Sequence, residues 1–116
     1  MTATNPPFGL SDAQYNEAIQ AVLTRVETTV DRWLEGDVAD IDSARSGGML
    51  TLTLPNRSQL IINAQPPLQE LWLAAKRGGF HFRHADGLWR DTRSGDEFFA
   101  LLSACASEQS GVALTF

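Results

Sequence analysis

The spacing of apolar residues changes twice along this chain of 116 residues, and that change limits the folds it can form. From Tyr15 to Trp33, apolar side chains recur every three or four residues, which is the spacing of one face of an α-helix. In residues 49–54, leucines alternate with threonines, as in a strand with one buried face. From Phe98 to Cys105 the helical spacing returns.

The first helix is predicted over residues 12–35. Ser11 is a typical N-cap residue, and Gln14, three positions later, completes a capping box. Gly36 follows the last turn, where glycine commonly ends a helix. The predicted helix therefore has six to seven turns and one apolar face to bury.

The middle of the chain predicts a meander of short antiparallel strands joined by tight turns. The strand segments are residues 49–54, 59–63, 68–74, 80–83 and 88–91, and a possible earlier strand carries Asp40 and Asp42 on one face. Ser94 and Glu97 form a second capping box, which predicts a helix over residues 98–107. Strands grouped between two helices indicate an α+β two-layer sandwich, in which the N- and C-terminal helices pack on one face of an antiparallel sheet.

Residues 11–116 are expected to form a single domain, because a chain of this length has no room for a second core. Residues 1–10 are expected to be a disordered lead, since Pro6 and Pro7 prevent an early helix and nothing there is typical of a signal peptide. The apolar runs are too short for a membrane span. The single cysteine, Cys105, excludes an internal disulfide and fits a reducing cytoplasm.

The net charge of −5 arises entirely in the first 48 residues, where eight acids stand against three arginines. Glu27, Asp31 and Glu35 are four residues apart, so they stack along one side of the predicted helix. Arg25 and Arg32 project to the other flank and do not neutralise this stack. We define the acidic ridge as this stack and the acids that follow it: Glu27, Asp31, Glu35, Asp37, Asp40 and Asp42.

The acidic ridge offers carboxylate oxygens to hard cations, or to arginine and lysine residues of another protein. Nucleic acid is disfavoured as a partner, because its charge has the same sign. A solvated helix face is the simpler interpretation of such a charge run, and the residues alone favour it over a binding role. Any metal site here would be shallow and weak, since no EF-hand order or closing loop accompanies the acids.

A series of short motifs follows along residues 11–111. The series is DID at 40–42, GGMLTL at 47–52, IINAQ at 61–65, PLQELWLA at 67–74, GGFHF at 78–82, Trp89, GDEF at 95–98 and the leucine pair 101–102. In this order and at these separations, the motifs closely resemble those of the bacterial frataxin family. The fold that this resemblance implies, two helices against one antiparallel sheet, agrees with the fold predicted from the periodicity.

The resemblance also implies a function: a small iron-binding protein that regulates iron–sulfur cluster assembly. Such a protein docks on a cysteine desulfurase and its iron–sulfur scaffold protein, and holds Fe(II) or Fe(III) weakly, as a sensor or donor. It would be a monomer that can oligomerise with iron. By the same resemblance, iron and the desulfurase meet the acidic ridge at Glu27, Asp31, Asp40 and Asp42, with Glu35 and Asp37 beside them, and the open sheet face meets the partners at Asn63, Gln65 and Trp72.

Two other functions stay open. A ferroxidase would oxidise Fe(II) at the ridge, but it needs inward-facing ligands around a pair of bridged metals, and the ridge ligands point outward. An acidic adaptor would use the same charges on a protein partner without any metal. We expect docking rather than enzymatic turnover.

Trp72 alternates with Leu71 and Leu73 and therefore faces away from the core side of its strand. A large aromatic residue on an open sheet face is typical of a contact anchor. Trp33 and Trp89, by contrast, are expected to pack against the core.

The histidines and the cysteine, the other candidate functional residues, are expected to have structural roles. His81 and His84 lack a third nitrogen or sulfur ligand nearby in sequence, so we expect solvent-facing histidines rather than a metal pair. Cys105 lies on the apolar face of the last helix, where a free cysteine behaves as a small apolar residue. No nucleotide-binding or nucleophile motif is found.

Overall fold

The computed structural model describes residues 9–116, which form a six-stranded sheet with a helix before it and a helix after it. The helices are α1, Asp12–Glu35, and α2, Phe98–Ser110. The strands are β1, Asp42–Ser46; β2, Met49–Thr53; β3, Gln59–Gln65; β4, Glu70–Ala75; β5, Gly78–Ala85; and β6, Leu88–Asp91. The predicted α+β sandwich, with two helices on one antiparallel sheet, is confirmed.

Each strand pairs antiparallel with the next, so the order across the sheet is the order along the chain. The inner side of the four central strands, β2 to β5, is mostly apolar: Leu50, Leu52, Leu60, Ile62, Leu71, Leu73 and Phe82 are each at most 1% exposed. These side chains pack with the buried faces of α1 and α2 in one core. The predicted alternation along the strands therefore gives the sheet one buried face and one outer face.

The start and end of α1 are as predicted. The backbone N–H of Gln14 donates to the Ser11 hydroxyl oxygen at 3.1 Å, and the Ser11 N–H donates to the Gln14 side chain at 3.0 Å. The helix ends at Gly36, whose N–H donates to the carbonyl of Arg32. These bonds satisfy backbone groups that would otherwise be unpaired at the helix ends.

The predicted cap of the second helix is wrong. The N-cap is Glu97, whose carboxylate accepts from the N–H groups of Phe99 and Ala100 at 2.8 and 3.1 Å. Ser94 instead accepts from the N–H of Asp96, because a turn through Gly95 and a bridge between Arg90 and Glu97 keep this segment outside the helix. The helix then continues to Ser110, three residues beyond the predicted end.

Several predicted strand boundaries differ from the structure, and two of them lie close to the candidate site residues. Pro66–Leu68 forms a 3₁₀ turn and Gln69 has a left-handed φ of 50°, so β4 begins at Glu70 rather than at Leu68. The Gln69 N–H donates to the carbonyl of Pro66 at 3.0 Å, and this bond closes the turn that keeps Leu68 and Gln69 out of the strand. Asp40 lies before β1 rather than in it, since the strand begins at Asp42.

Most of the predicted disordered lead, residues 1–8, lies outside the described residues. Leu10 is described: its N–H donates to the Gln69 side-chain carbonyl at 3.0 Å, which holds the chain just before α1. Neither helix in residues 9–116 combines the length and the apolar character that a membrane crossing would require.

Candidate metal and partner surfaces

The acidic ridge lies along the exposed side of α1 and continues into β1. Five of its six residues are solvent-exposed: Asp31, Glu35, Asp37, Asp40 and Asp42. Within residues 9–116, none of these five belongs to an ion pair. Their carboxylates therefore face water and are free to meet a cation or a basic protein surface.

Glu27 differs from the rest of the ridge. Arg45 of β1 reaches across to α1, and its Nη1 lies 2.6 Å from Glu27 Oε1 and 3.3 Å from the Thr24 hydroxyl. Its Nη2 donates to the side-chain oxygen of Gln20. Glu27 therefore has an internal counterion that is neither Arg25 nor Arg32, because the packing of β1 beside α1 places Arg45 within reach.

Arg25 stays apart from the acidic stack, as predicted. Its guanidinium lies over the ring of Phe99, on α2, at 3.7 Å from the ring centroid. A cation over an aromatic face is attracted by the ring electrons. Arg25 therefore joins the two helices and does not neutralise the ridge.

The donor chemistry of the ridge suits iron only as a weakly held ion. Carboxylate oxygens are hard ligands, but within residues 9–116 no group of three or more His, Cys, Asp or Glu side chains is placed to hold a metal. The ridge therefore presents single carboxylates in a row rather than a preformed cage.

The outer sheet face carries the three predicted contact residues. Trp72 is half-buried between the fully buried Leu71 and Leu73, so its predicted direction away from the core is confirmed. It stands directly opposite Asn63 of β3 and His81 of β5. Gln65 lies opposite Glu70, one row further along the same face. The sheet register thus brings all three predicted contact residues onto neighbouring rows.

Trp72 is surrounded by a group of polar residues that was not predicted from the sequence. The indole Nε1–H of Trp72 donates to Glu70 Oε1 at 2.8 Å, and Arg83 Nε donates to Glu70 Oε2 at 3.1 Å. The Trp72 and His81 rings stack, with centroids 4.0 Å apart and planes 6° from parallel. We call this group the outer cluster, which comprises Glu70, Trp72, His81 and Arg83.

The sequence did contain one indication of the outer cluster. Glu70 and Trp72 are two residues apart in the predicted strand, so their side chains must lie on the same face. Its pairing with Arg83 depends on the β4–β5 register, in which these two residues stand opposite each other. That register is set by the two-residue turn at Lys76 and Arg77, whereas the predicted strands ended at residue 74 and resumed at residue 80.

The two histidines lie on opposite faces of β5. His81 is exposed on the outer face, whereas His84 is half-buried and packs edge-on against Trp89, with ring centroids 5.1 Å apart. Because residues three apart in a strand point to opposite faces, the two side chains do not converge on one ion. The expectation of two solvent-facing histidines therefore holds for His81 only.

The expected packing roles are confirmed. Trp89 is 4% exposed, and Trp33 packs against Phe116 with ring centroids 4.6 Å apart. Cys105 is fully buried, and burial raises the pKa of its thiol. A buried thiol that resists ionisation is chemically inert, in agreement with a packing role.

Comparisons with known proteins agree with this fold and its motifs. Residues 8–112 match the family model described as a Frataxin-like domain. The iron–sulfur cluster assembly protein CyaY of Burkholderia mallei is 54% identical over 107 residues, which cover 92% of this chain and 98% of that protein. The chain therefore belongs to the frataxin family.

Two solved structures show the same architecture. Frataxin from Psychromonas ingrahamii, a member of the CyaY family, matches with a TM-score of 0.81 at 35% identity, covering 91% of this chain and 97% of its own. Trimeric frataxin from Saccharomyces cerevisiae, solved as a complex with ferrous iron, matches with a TM-score of 0.65 at 23% identity, covering 92% and 94%. The second likeness is evidence of a shared fold alone.

Proposed function

We propose that this protein binds iron weakly and regulates iron–sulfur cluster assembly by docking on the cysteine desulfurase and its scaffold protein. The assembly role is that of its 54% identical CyaY relative. The observation that carries the docking mechanism is the row of five exposed ridge carboxylates without ion-pair partners in residues 9–116. Such a row attracts a basic surface over a long range and also accepts a hard cation.

The outer sheet face supplies the second half of the proposed contact surface. Trp72 is a half-buried aromatic residue held on an open face, beside Asn63 and close to Gln65. Aromatic side chains of this kind contribute strongly to protein interfaces. In this proposal the ridge steers the encounter with the desulfurase, and Trp72 anchors the contact with the scaffold protein. We expect this activity in the cytoplasm, where a lone cysteine stays reduced.

Calorimetry against the cognate desulfurase, alone and with its scaffold, tests the docking mechanism. A variant with four ridge acids changed to amides should bind more weakly at low salt, and the difference should shrink at high salt because exposed charges are screened. The four changes are Asp31→Asn, Glu35→Gln, Asp40→Asn and Asp42→Asn.

A matched control changes four exposed acids outside the ridge: Asp12→Asn, Glu17→Gln, Asp86→Asn and Asp96→Asn. It alters the net charge by the same amount, so it separates the position of the charges from their number. If both variants bind as the native protein does at low salt, electrostatic docking through the ridge is excluded. Equal weakening of both would assign the effect to net charge alone.

An anaerobic Fe(II) titration tests the metal role. Paramagnetic broadening of amide NMR signals should begin around Asp31 and Asp42 and should be lost in the ridge variant. Uniform broadening, with no preference for the ridge, would favour the acidic adaptor. Oxygen consumption on adding Fe(II) should be the same in the native and ridge variants, and ridge-dependent consumption would instead favour a ferroxidase.

A further inference from the structure

We propose that Glu70 is the positioning residue of the partner-contact face: its buried carboxylate holds Trp72 and Arg83 in the orientation in which they meet the partner. This inference rests on the proposed function for the identity of the partner. The orientation of Trp72 can be measured in the protein alone, so the two proposals can fail separately.

The burial of Glu70 is the first observation. Its side chain lies on the outer face of β4, the side that alternation leaves open to solvent, yet the residue is only 6% exposed. A carboxylate is rarely buried unless it is paired. The neighbouring outer residues His81 and Arg83 have side chains 49% and 66% exposed, so Glu70 lies underneath the surface that they form.

The bonds of Glu70 are the second observation. Its two oxygens are divided: Oε1 accepts the indole N–H of Trp72, and Oε2 accepts the Nε–H of Arg83. His81 Nδ1 lies 3.8 Å from Oε1, while the His81 ring covers the face of the Trp72 indole. The carboxylate thus fixes one edge of the indole and the imidazole fixes its plane.

A fixed indole binds a partner with a smaller loss of entropy than a mobile one. Ordering a free side chain at an interface weakens binding by roughly two- to tenfold. Glu70 removes most of this loss before the partner arrives, and it does so without needing to touch the partner itself. It also leaves the outer guanidinium nitrogens of Arg83 free to meet that partner, since only Nε is used by Glu70.

The first test measures the indole N–H in the free protein. Hydrogen exchange of the Trp72 indole, assigned by comparison with Trp72→Phe, should be about tenfold faster in Glu70→Leu, since a bond to a charged acceptor is lost. Glu70→Gln keeps an acceptor of the same shape and should retain most of the protection. The indoles of Trp33 and Trp89 should not change in either variant.

The second test measures binding to the desulfurase–scaffold assembly. Glu70→Leu should weaken binding by about two- to tenfold, and Glu70→Gln by less. In a protein that already carries Trp72→Ala, the change Glu70→Leu should weaken binding further only by the smaller amount that depends on Arg83. Full additivity of the two changes would overturn the proposal, because a residue that acts through Trp72 has little left to position once Trp72 is absent.

Glu108→Leu is the matched control, since it also removes an acid that pairs with an arginine, Arg77 of the β4–β5 turn, at 3.2 Å. It should leave the Trp72 indole exchange unchanged. Urea unfolding of each variant checks that the fold is intact. If the Trp72 indole exchanges at the same rate in the native protein and in Glu70→Leu, the positioning role of Glu70 is excluded. If the native protein does not bind the assembly, the proposed function is excluded, and the indole exchange alone then decides whether Glu70 positions Trp72.

Discussion

The acidic ridge and the outer cluster use carboxylates in opposite ways. In the ridge, five carboxylates stand in water without an ion-pair partner among residues 9–116. In the outer cluster, the single carboxylate of Glu70 is buried and shared between Trp72 and Arg83. The contrast teaches that a carboxylate acts at long range when it is solvated and positions its neighbours when it is buried.

The two regions should therefore respond to different perturbations. Exposed charges are weakened by salt, because mobile ions screen them within about 10 Å at 0.1 M. The buried Glu70 is shielded from those ions, so its contacts depend on the shape of the surrounding side chains. Salt should act on the ridge, and substitutions that change shape should act on the outer cluster.

The largest expected effect separates the two faces of β4. Leu73→Ala should lower the free energy of unfolding by about 2–5 kcal/mol, because Leu73 is 1% exposed and its removal leaves a cavity in the core. The adjacent Trp72→Ala should lower it by clearly less, since its ring lies on the outer face. Urea unfolding compares the two, and an equal loss would show that Trp72 belongs to the core.

The second effect concerns affinity. Trp72→Ala should weaken binding to the desulfurase–scaffold assembly by about 2 kcal/mol, as expected for an aromatic anchor at the centre of an interface. Val112→Ala, at an exposed apolar residue beyond α2, should leave the affinity unchanged. Calorimetry at high salt is the appropriate measurement, because the ridge contributes least there. A loss confined to low salt would assign the effect to charge instead.

The third effect is a pH dependence that arises beneath the outer cluster. The Tyr15 hydroxyl donates to the carbonyl of Glu70 at 2.6 Å and accepts from the N–H of Gln65 at 3.0 Å. Burial raises the pKa of Tyr15 above its usual value of 10.0; the bond from Gln65 lowers it and the charge of Glu70 raises it further.

The folded protein therefore keeps the Tyr15 proton at pH values where the unfolded chain has lost it. The stability that this retained proton contributes is complete below about pH 10 and is lost as pH rises through the folded-state pKa of Tyr15. Over that range the free energy of unfolding falls by at most about 1.4 kcal/mol per pH unit. Urea unfolding between pH 8 and pH 11 should show this decline, reduced in Tyr15→Phe. A decline of the same size in both proteins would point to other groups.

The smallest effect lies within the ridge. Arg45→Gln should lower the free energy of unfolding by at most about 1 kcal/mol, because the pair with Glu27 is partly exposed. It should also free the Glu27 carboxylate, so that Fe(II) broadening in NMR spectra extends to this turn of α1. Broadening that stays confined to Asp31 and the residues after it would show that Arg45 does not compete with iron.

Several parts of the structure that depend on near neighbours were predictable from the sequence, although the second capping box, Ser94 with Glu97, was not. The capping box of Ser11 and Gln14 and the stop at Gly36 are formed by residues within a few positions of one another. The alternation of leucine with threonine likewise determined which side of β2 is buried. Exposure of Asp31 and Glu35 followed from helical spacing, since these residues lie opposite the apolar face of α1.

Only the tertiary structure decided which charges are paired. Arg45 and Glu27 are 18 residues apart on different elements, and Arg83 and Glu70 are 13 apart on paired strands, so neither pair follows from the spacing within one helix or one strand. The first pair depends on how β1 packs beside α1, and the second on the β4–β5 register. Sequence by itself therefore determined where the carboxylates stand, whereas folding determined which of them remain in water, because a counterion can come from any strand that the topology brings within reach.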